Sequence, residues 1–337
     1  MSKKVVSLGE ILLRLSPSNY QRIVNSKSFE INYGGAEMNV AANLSILGID
    51  SVAVTKVPDN EIGEAALSSL KSHGVNTSYI PKGGERIGTY YLETGYSIRN
   101  SKVIYDRKDS SFAKSHISEY DVEKILEGAD LFHVSGITLA ISPLAFEIAE
   151  TFMKKANEMG IKVSFDFNYR SKLWSLEEAS IKIKKILPYV NIAFAGYLDF
   201  INILGFKSET CYEEDILKCY EELYPKVLEK YNFEYIASSI RKTVSASKNI
   251  YKGLVYDGKS INISKEYEIE IIDRVGSGDA FTTGFLYSYL MGKSSEYIVQ
   301  FATASAAIKH TIHGDTNIIN KSDIENLFEK DSFDVSR

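Results

Sequence analysis

The chain has 337 residues, 44% of them hydrophobic and 25% charged, which is enough apolar material for a sizeable core in one large domain or two ordinary ones. A net charge of −5 supplies no broad basic surface for nucleic acid, and no stretch approaches the roughly 18 uninterrupted apolar residues that a membrane helix needs. The start, MSKKVVSLGEILL, has a short apolar run without a small-residue cleavage site, so no secretory signal is expected.

Along the chain, short β-rich runs alternate with helical patterns. KKVVSLG opens as a strand, and ILLRL and FEINY follow without a helix between them. GGAEMNVAANLSILG reads as a helix, SVAVTKV as a strand, and DNEIGEAALSSLKSHG as a helix. IGTYYLET and KVIYDR form a second helix-free pair of strands, and ADLFHVSGI returns to the main rhythm. The helix at 142–160 is well signed, with Ser142 as N-cap, Pro143 at the first helical position and Gly160 at the stop. KVSFDFN, VNIAFAG and FEYIASS are strands, with a helical stretch over 213–230 before the last of them. YKGLVYDGKSINIS is a hairpin turning at Asp257-Gly258, and EYEIEIID is a strand leading to a helix that begins at Asp279. This alternation predicts a mostly parallel sheet with helices on both faces. The helix-free regions, about 10–33 and 85–108, predict a small antiparallel sheet projecting as a lid. With no repeat, low-complexity tract or linker, residues 1–337 read as one domain with that lid.

The cysteines are Cys211 and Cys219. A single helix across 212–230 would hold their α-carbons roughly 12 Å apart, beyond disulfide reach. That usage fits a reducing cytoplasm.

Four stretches carry chemistry. In DRVGSGDAF, the turn Gly276-Ser277-Gly278 precedes Asp279 at a helix start. Outward N–H groups and the helix dipole favour a phosphate oxygen, and Asp279 could take a proton from an incoming hydroxyl. An N-capping aspartate after a tight turn explains these nine residues equally well. Gly34-Gly35 precedes a helix with Glu37 and Asn39, and allows close approach to backbone. SFDFNYRSKLW brings Asp166, Asn168 and Arg170 to the carboxyl edge of the sheet, where open α/β sheets bind ligands, unless it is a salt-bridged corner. Tyr90, Tyr105 and Arg107 lie on the lid strands, and Arg107 with Arg170 could clamp a carboxylate. No P-loop, dinucleotide fingerprint or H-E-x-x-H pattern exists. His310 and His313 share a helix face in KHTIH and read as capping or packing residues.

Taken together, YGGAEMNVAANLSILG and DRVGSGDAF, in that order and about 240 residues apart, resemble the signatures of the ribokinase-like (PfkB) family of sugar kinases. Within it the chain is most similar to 2-keto-3-deoxygluconate kinases, in the GE-x-x-L-R-L-S-P opening, Y-x-R, D-x-N-Y-R-x-x-L-W and A-x-K-H-T-I-x-G-D. The resemblance implies a ribokinase-like three-layer α/β/α sandwich with a mostly parallel central sheet and a small β-sheet lid. It implies ATP and Mg²⁺ as cofactors, a sugar acid as substrate, no nucleic-acid or membrane partner, and a homo-oligomer formed through the lid. Asp279 would be the base, with backbone N–H groups of Gly276, Ser277 and Gly278 receiving the phosphoryl group. Gly34, Gly35, Asn39, Tyr90, Tyr105, Arg107, Asn168 and Arg170 would face the substrate. Ser239, Arg241 and Ser247, with Gly276 and Gly278, would face the nucleotide. The family's N-x-x-E stretch for Mg²⁺ is replaced by Gly196-Tyr197-Leu198-Asp199, leaving Asp199 as the carboxylate. Its T-x-G-x-x-G nucleotide stretch is replaced by SSIRKTVSASKNIYKG, and Arg274 stands where threonine is commoner. A neutral-sugar or 5-dehydro-2-deoxygluconate kinase, and a sugar-acid binder that has lost catalysis, are the alternatives.

Overall fold

The computed structural model describes residues 3–211 and 216–330. From the N-terminus run β1 (Lys4–Leu8), β2 (Leu12–Ser16), β3 (Glu30–Gly34), α1 (Ala36–Ile46), β4 (Asp50–Val54), α2 (Glu61–Ser72), β5 (Gly88–Glu93), β6 (Lys102–Asp106), α3 (Val122–Leu126), β7 (Leu131–Ser135) and α4 (Gly136–Ile141). There follow α5 (Pro143–Glu158), β8 (Lys162–Asp166), α6 (Leu176–Ile186), β9 (Ile192–Phe194), α7 (Tyr197–Asn202) and α8 (Ile216–Tyr231). The last elements are β10 (Tyr235–Ser245), β11 (Lys248–Tyr256), β12 (Ile261–Ile263), β13 (Tyr267–Glu270), α9 (Ser277–Leu290), α10 (Ser295–Lys309) and α11 (Lys321–Glu329).

The main sheet has the order β12-β11-β10-β9-β8-β7-β1-β4, with β13 also paired to β11. Pairing from β4 through to β10 is parallel, and β11, β12 and β13 add antiparallel strands at one edge. Both faces are covered, which explains the near-continuous apolar runs in strands such as KVVSL. Val6 and Leu8 point into one core with Phe132, Phe152 and Phe165, under α3 to α8. Val5 points into the other with Phe285 and Phe301, under α1, α9, α10 and α11. The three layers expected from the sequence are present. In α5 the Ser142 hydroxyl accepts the Ala145 N–H at 3.0 Å, Pro143 opens the helix, and Gly160 has a φ of 71°.

The second sheet has the order β3-β2-β5-β6 and is mixed, not antiparallel as expected. The pair β2 and β5 is parallel, while β2 with β3 and β5 with β6 are antiparallel. Register gives it two distinct faces. Asn32, Arg14, Tyr90 and Tyr105 form a row across one, and Ile31, Leu15, Tyr91 and Ile104 form a row across the other. The first row is anchored by Arg14 and Tyr90, both buried, while the second leaves Ile31 and Ile104 more than half exposed.

Two expectations fail nearby. Helix α8 begins at Ile216, so Cys211 lies outside it and its α-carbon is 4.5 Å from that of Cys219, with which it forms a disulfide. The separation argument assumed helix from 212; residues 212–215 of that expected helix lie outside the described residues. The cysteines therefore give no support to a reducing compartment. Likewise α10 ends at Lys309, so His310 and His313 do not share a helix face. His310 is the helix C-cap, buried, with Nδ1 2.7 Å from the Ala306 carbonyl oxygen. Among the described residues no helix is long and apolar enough to cross a membrane.

Candidate active site

The carboxyl ends of β1, β7, β8 and β9 open toward the inner face of the lid, and the turn after β13 closes the cleft. In that turn the N–H groups of Ile272 and Asp273 donate to the His310 carbonyl, fixing 272–273 against the 310–315 loop. Asp273 accepts from the Val275 N–H at 3.1 Å with one oxygen and from the Gly314 N–H at 3.1 Å with the other. Gly276 then adopts φ 80°, the left-handed region glycine enters without cost. A Cβ here would also overlap the Asp315 carbonyl oxygen. One left-handed residue completes the turn, so α9 begins at Ser277, two residues before the expected start. The Ala280 N–H makes the first helical bond, to the Gly276 carbonyl at 2.8 Å. The N–H groups of Ser277, Gly278 and Asp279 thus lie in the first turn, at the positive end of the helix dipole.

Asp279 sits at the third position of α9, half-buried. Burial pushes its carboxyl up to about 7, with Glu37 and Asp315 adding to the rise and Asn39 and Arg170 opposing it. The Asn39 Nδ2 donates to Asp279 Oδ2 at 2.6 Å, while Asn39 Oδ1 accepts the Gly35 N–H at 3.2 Å, so the amide is oriented from both ends. Glu37 is fully enclosed and takes the Ser135 N–H and the Ser135 and Thr138 hydroxyls; burial raises its pKa. At Gly34 and Gly35 the space a Cβ would need belongs to the Asp315 side chain and the Glu10 carbonyl. The glycines therefore admit close packing within the protein.

Across the cleft, Asp166 ends β8. Burial, then the charge of Asp279, pushes it up to about 8, with Asp199 contributing in the same direction. Asn168 (φ 37°) turns the chain so that its N–H donates to Asp166 Oδ1 at 3.1 Å. Asp199 accepts the Gly196 N–H at 2.8 Å as the capping acid of α7, and burial pushes it up to about 6. Arg170 opposes the rise at Asp166, Asp199 and Asp279 alike, so its positive charge faces all three. Its loop docks on the lid, where Lys172 Nζ donates to the Val103 carbonyl at 3.1 Å.

On the lid, Tyr105 is 40% exposed and stands beside Tyr90, ring centroids 6.0 Å apart. The Arg107 guanidinium lies 6.0 Å from the Tyr105 ring and is anchored by Glu10, which also accepts the Ser110 hydroxyl. Tyr90 is buried and donates its hydroxyl to Asp315 Oδ2 at 2.6 Å. Arg14 donates to Asp315 Oδ1 and to Asp273 Oδ2, each at 2.6 Å, and those two carboxylates outweigh the effect of burial and raise its pKa.

Of the residues expected at the nucleotide, Ser239 and Arg241 share one face of β10 and are exposed. Arg241 lies close enough to Arg274 that its charge, after burial, lowers the Arg274 pKa. Ser247 belongs to the β10–β11 turn, which touches the lid: its hydroxyl accepts the Ser97 N–H at 3.2 Å, and the Ala246 N–H donates to the Ser97 carbonyl at 2.8 Å. Arg274 reaches the same turn through the Ala246 carbonyl at 2.9 Å.

Glu10 and Arg14 lie in the GE-x-x-L-R-L-S-P stretch, and Lys309 and Asp315 in A-x-K-H-T-I-x-G-D, but none of them was among the expected site residues. Arg14 had a signal, a charge alternating with leucines inside ILLRLS; Lys309 had another, a cation in the otherwise uncharged run FATASAAIK.

The chain matches the family model for the pfkB family carbohydrate kinases over residues 2–322. It is 30% identical to the 2-dehydro-3-deoxygalactonokinase of Haloferax volcanii over 100% of both chains. A crystal structure of 2-dehydro-3-deoxygluconokinase from Thermotoga maritima superposes with a TM-score of 0.94 at 42% identity, covering 97% of this chain and 99% of that one. A PfkB family carbohydrate kinase from Listeria grayi gives 0.92 at 38% identity, over 97% and 100%. A three-layer sheet with a lid, an acid in the first turn of α9 and a match over nearly the whole length meet in one conclusion: the chain belongs to the pfkB family of carbohydrate kinases.

Proposed function

We propose that the protein phosphorylates the terminal hydroxyl of 2-keto-3-deoxygluconate at the expense of ATP. The observation that carries the assignment is Asp279, held by Asn39 in the first turn of α9 and within the electrostatic reach of Arg170. Asp279 takes the hydroxyl proton as the new O–P bond forms and the bond to the departing ADP oxygen breaks. A base with a pKa of about 7 is suited to the task, because near neutrality it is partly ionised yet still basic enough to accept the proton. The N–H groups of Gly276, Ser277, Gly278 and Asp279 receive the oxygens of the transferring phosphoryl group. Gly34, Gly35, Asn39, Asn168 and Tyr105 border the sugar, with Tyr90 supporting Tyr105 from behind. Arg107 and Arg170 neutralise its carboxylate, a group that neutral sugars lack. The names of the Haloferax and Thermotoga relatives support an acid of this class.

Ser239, Arg241 and Ser247 lie on the side assigned to the nucleotide. Among the described residues no three His, Cys, Asp or Glu side chains are gathered closely enough to cage a metal. That fits Mg²⁺, which keeps waters and is held mainly through phosphates with one or two carboxylates. Asp166 and Asp199 fit this role: Asp166 is raised first by burial and then by the charge of Asp279, with Asp199 adding to it, and that negative charge is what a dication would relieve. Bound there, Mg²⁺ would neutralise phosphate charge. The apolar row Ile31, Leu15, Tyr91 and Ile104 on the outer lid face supports a homodimer joined lid to lid.

The test is ADP release with Mg-ATP over 2-keto-3-deoxygluconate, its galactonate epimer, fructose, ribose and 5-dehydro-2-deoxygluconate, with Asp279→Asn alongside. Turnover of the keto-deoxy acids that falls by about 10³-fold or more in the variant is expected, the scale of losing a general base together with its positioning. Turnover confined to a neutral sugar overturns the substrate assignment, and an Asp279→Asn enzyme of normal rate overturns the base.

A further inference from the structure

Directly behind the 273–276 turn lies an ammonium group with no role in the scheme above. Lys309, the last residue of α10, is 0% exposed. Its Nζ donates to the Ile312 carbonyl at 3.0 Å and to the Asp273 carbonyl at 3.4 Å, so one cation bridges the two loops that form the rear wall of the turn. Its Cε lies 3.3 Å from where a Cβ on Gly276 would stand. Asp273 and Asp315 act on Lys309 through their charge, but neither carboxylate is its hydrogen-bond partner. The nearby acids Asp273 and Asp315 are both taken by Arg14 at 2.6 Å, and the hydrogen-bond acceptors of Lys309 are carbonyls. Enclosing an ammonium costs several kcal/mol unless it is compensated. Here the compensation is two aligned carbonyl dipoles and the field of the acid pair, arranged immediately behind the N-terminus of α9.

We propose that Lys309 is a positioning residue for phosphoryl transfer: its ammonium, bound to the Asp273 and Ile312 carbonyls, acts as a tethered monovalent cation that holds the Gly276–Asp279 N–H groups in their receiving geometry. The proposal rests on the reading that those N–H groups receive the phosphoryl group. An ammonium on carbonyl oxygens has the coordination chemistry of a free monovalent cation, so its removal leaves a cavity that such a cation can fill. Because the side chain stands behind the turn and away from both ligands, its loss acts on the rate of transfer and spares ground-state binding.

The experiment uses the full-length enzyme with whichever panel substrate it turns over. Lys309→Met is expected to lower kcat by about 10²-fold, with both KM values within about threefold, the pattern of a displaced transition-state contact. Amide hydrogen exchange over 276–279 speeds up in the same variant. Lys309→Gln, which keeps a donor without the charge, guards against a failure of the methionine variant to fold; it shows the same kcat loss. In Lys309→Ala, ammonium chloride restores kcat about tenfold over sodium chloride at equal ionic strength, while the unaltered enzyme responds equally to both salts. A Lys309→Met or Lys309→Gln enzyme with kcat within threefold and unchanged exchange overturns the proposal, as does an alanine variant indifferent to ammonium. Gly276→Ala, assayed in parallel, separates the two readings. If it keeps full kcat, the N–H assignment itself falls; if it loses kcat while the Lys309 variants do not, the role of Lys309 alone falls.

Discussion

Replacing Asn39 with alanine tests whether Asp279 works through its ionisation. Alanine keeps α1 intact, since it is the strongest helix former, and removes a single 2.6 Å hydrogen bond to the Asp279 carboxylate. That bond favours the charged form, so its loss raises a pKa that already stands at about 7. A hydrogen bond to a charged group is worth about 1.5–3 kcal/mol, and water entering the half-open cleft returns part of it. We take the net as about 1.4 kcal/mol, or one pKa unit. With the midpoint moved from about 7 to about 8, the ionised fraction at pH 7 falls from about one-half to about one-eleventh. The variant should therefore lose about fivefold in kcat/KM at pH 7 and recover to within about 10% of the parent's ionised fraction at pH 9. The assay is kcat/KM for Mg-ATP from pH 5.5 to 9.5 at sub-saturating sugar, so that the titration read is that of the enzyme before the nucleotide binds. A midpoint that stays in place, with the rate depressed equally at every pH, would refute the electrostatic role and leave Asn39 as a spacer.

Three further outcomes follow from the same geometry. Arg170→Ala should weaken the keto-deoxy acid by about 10²-fold in kcat/KM and change a neutral sugar by less than about threefold; equal losses would remove the carboxylate clamp. Asp166 is raised to about 8 in the folded state, so its contribution to stability is present below about pH 4 and is lost as pH rises through 8. Asp166→Asn should accordingly raise Tm at pH 9 by roughly 2 °C or more while changing it little near pH 5; a gain of equal size at both pH values contradicts the assignment. Arg14→Met leaves Asp273 and Asp315 buried without their shared cation and should cost about 3–5 kcal/mol in urea denaturation, against less than 1 kcal/mol if the pair is idle.

The layered sheet was legible because its strands obey simple patterns. KVVSL and LFHVS are apolar on both faces, as strands under two layers of helices must be, and Ser142-Pro143 marks a helix start unaided. Asp279, Asn39 and Arg170 were legible because glycine turns and polar residues at strand ends are local signals. Other features depend on distant partners. Arg14 meets Asp315 across 301 positions, and Glu10 meets Arg107 across 97. Neither separation leaves a mark in the local sequence. Helix α9 is buried on all sides from Ala280 to Ser288, so it lacks the amphipathic period that would have fixed its start, and the expectation ran two residues late. The cysteines misled for the opposite reason: a helical pattern was extended to 212, but Cys211 and Cys219, with α-carbons 4.5 Å apart, form a disulfide that such a helix would forbid.

The site also explains why one region should concentrate so many enclosed charges. Arg14 and Lys309 balance Asp273 and Asp315 behind the turn, and that balance needs no ligand. In front of the turn Asp166, Asp199 and Asp279 are all raised, mainly by burial, to about 8, 6 and 7, with the charge of Arg170 opposing the rise at each. In the role proposed above Asp279 would act only when ionised, so protons held on this trio near pH 7 would have to leave first. A dication arriving with ATP stabilises the ionised carboxylates and lowers their pKa values. Binding of Mg-ATP should then release protons near pH 7, seen in calorimetry as a binding heat that scales with the ionisation heat of the buffer. Asp166→Asn should reduce that release, since Asp166 is the most strongly raised of the three. A heat independent of buffer would mean that the acids are already ionised before the nucleotide arrives, and the proposed link between its arrival and the ionisation of Asp279 would be lost.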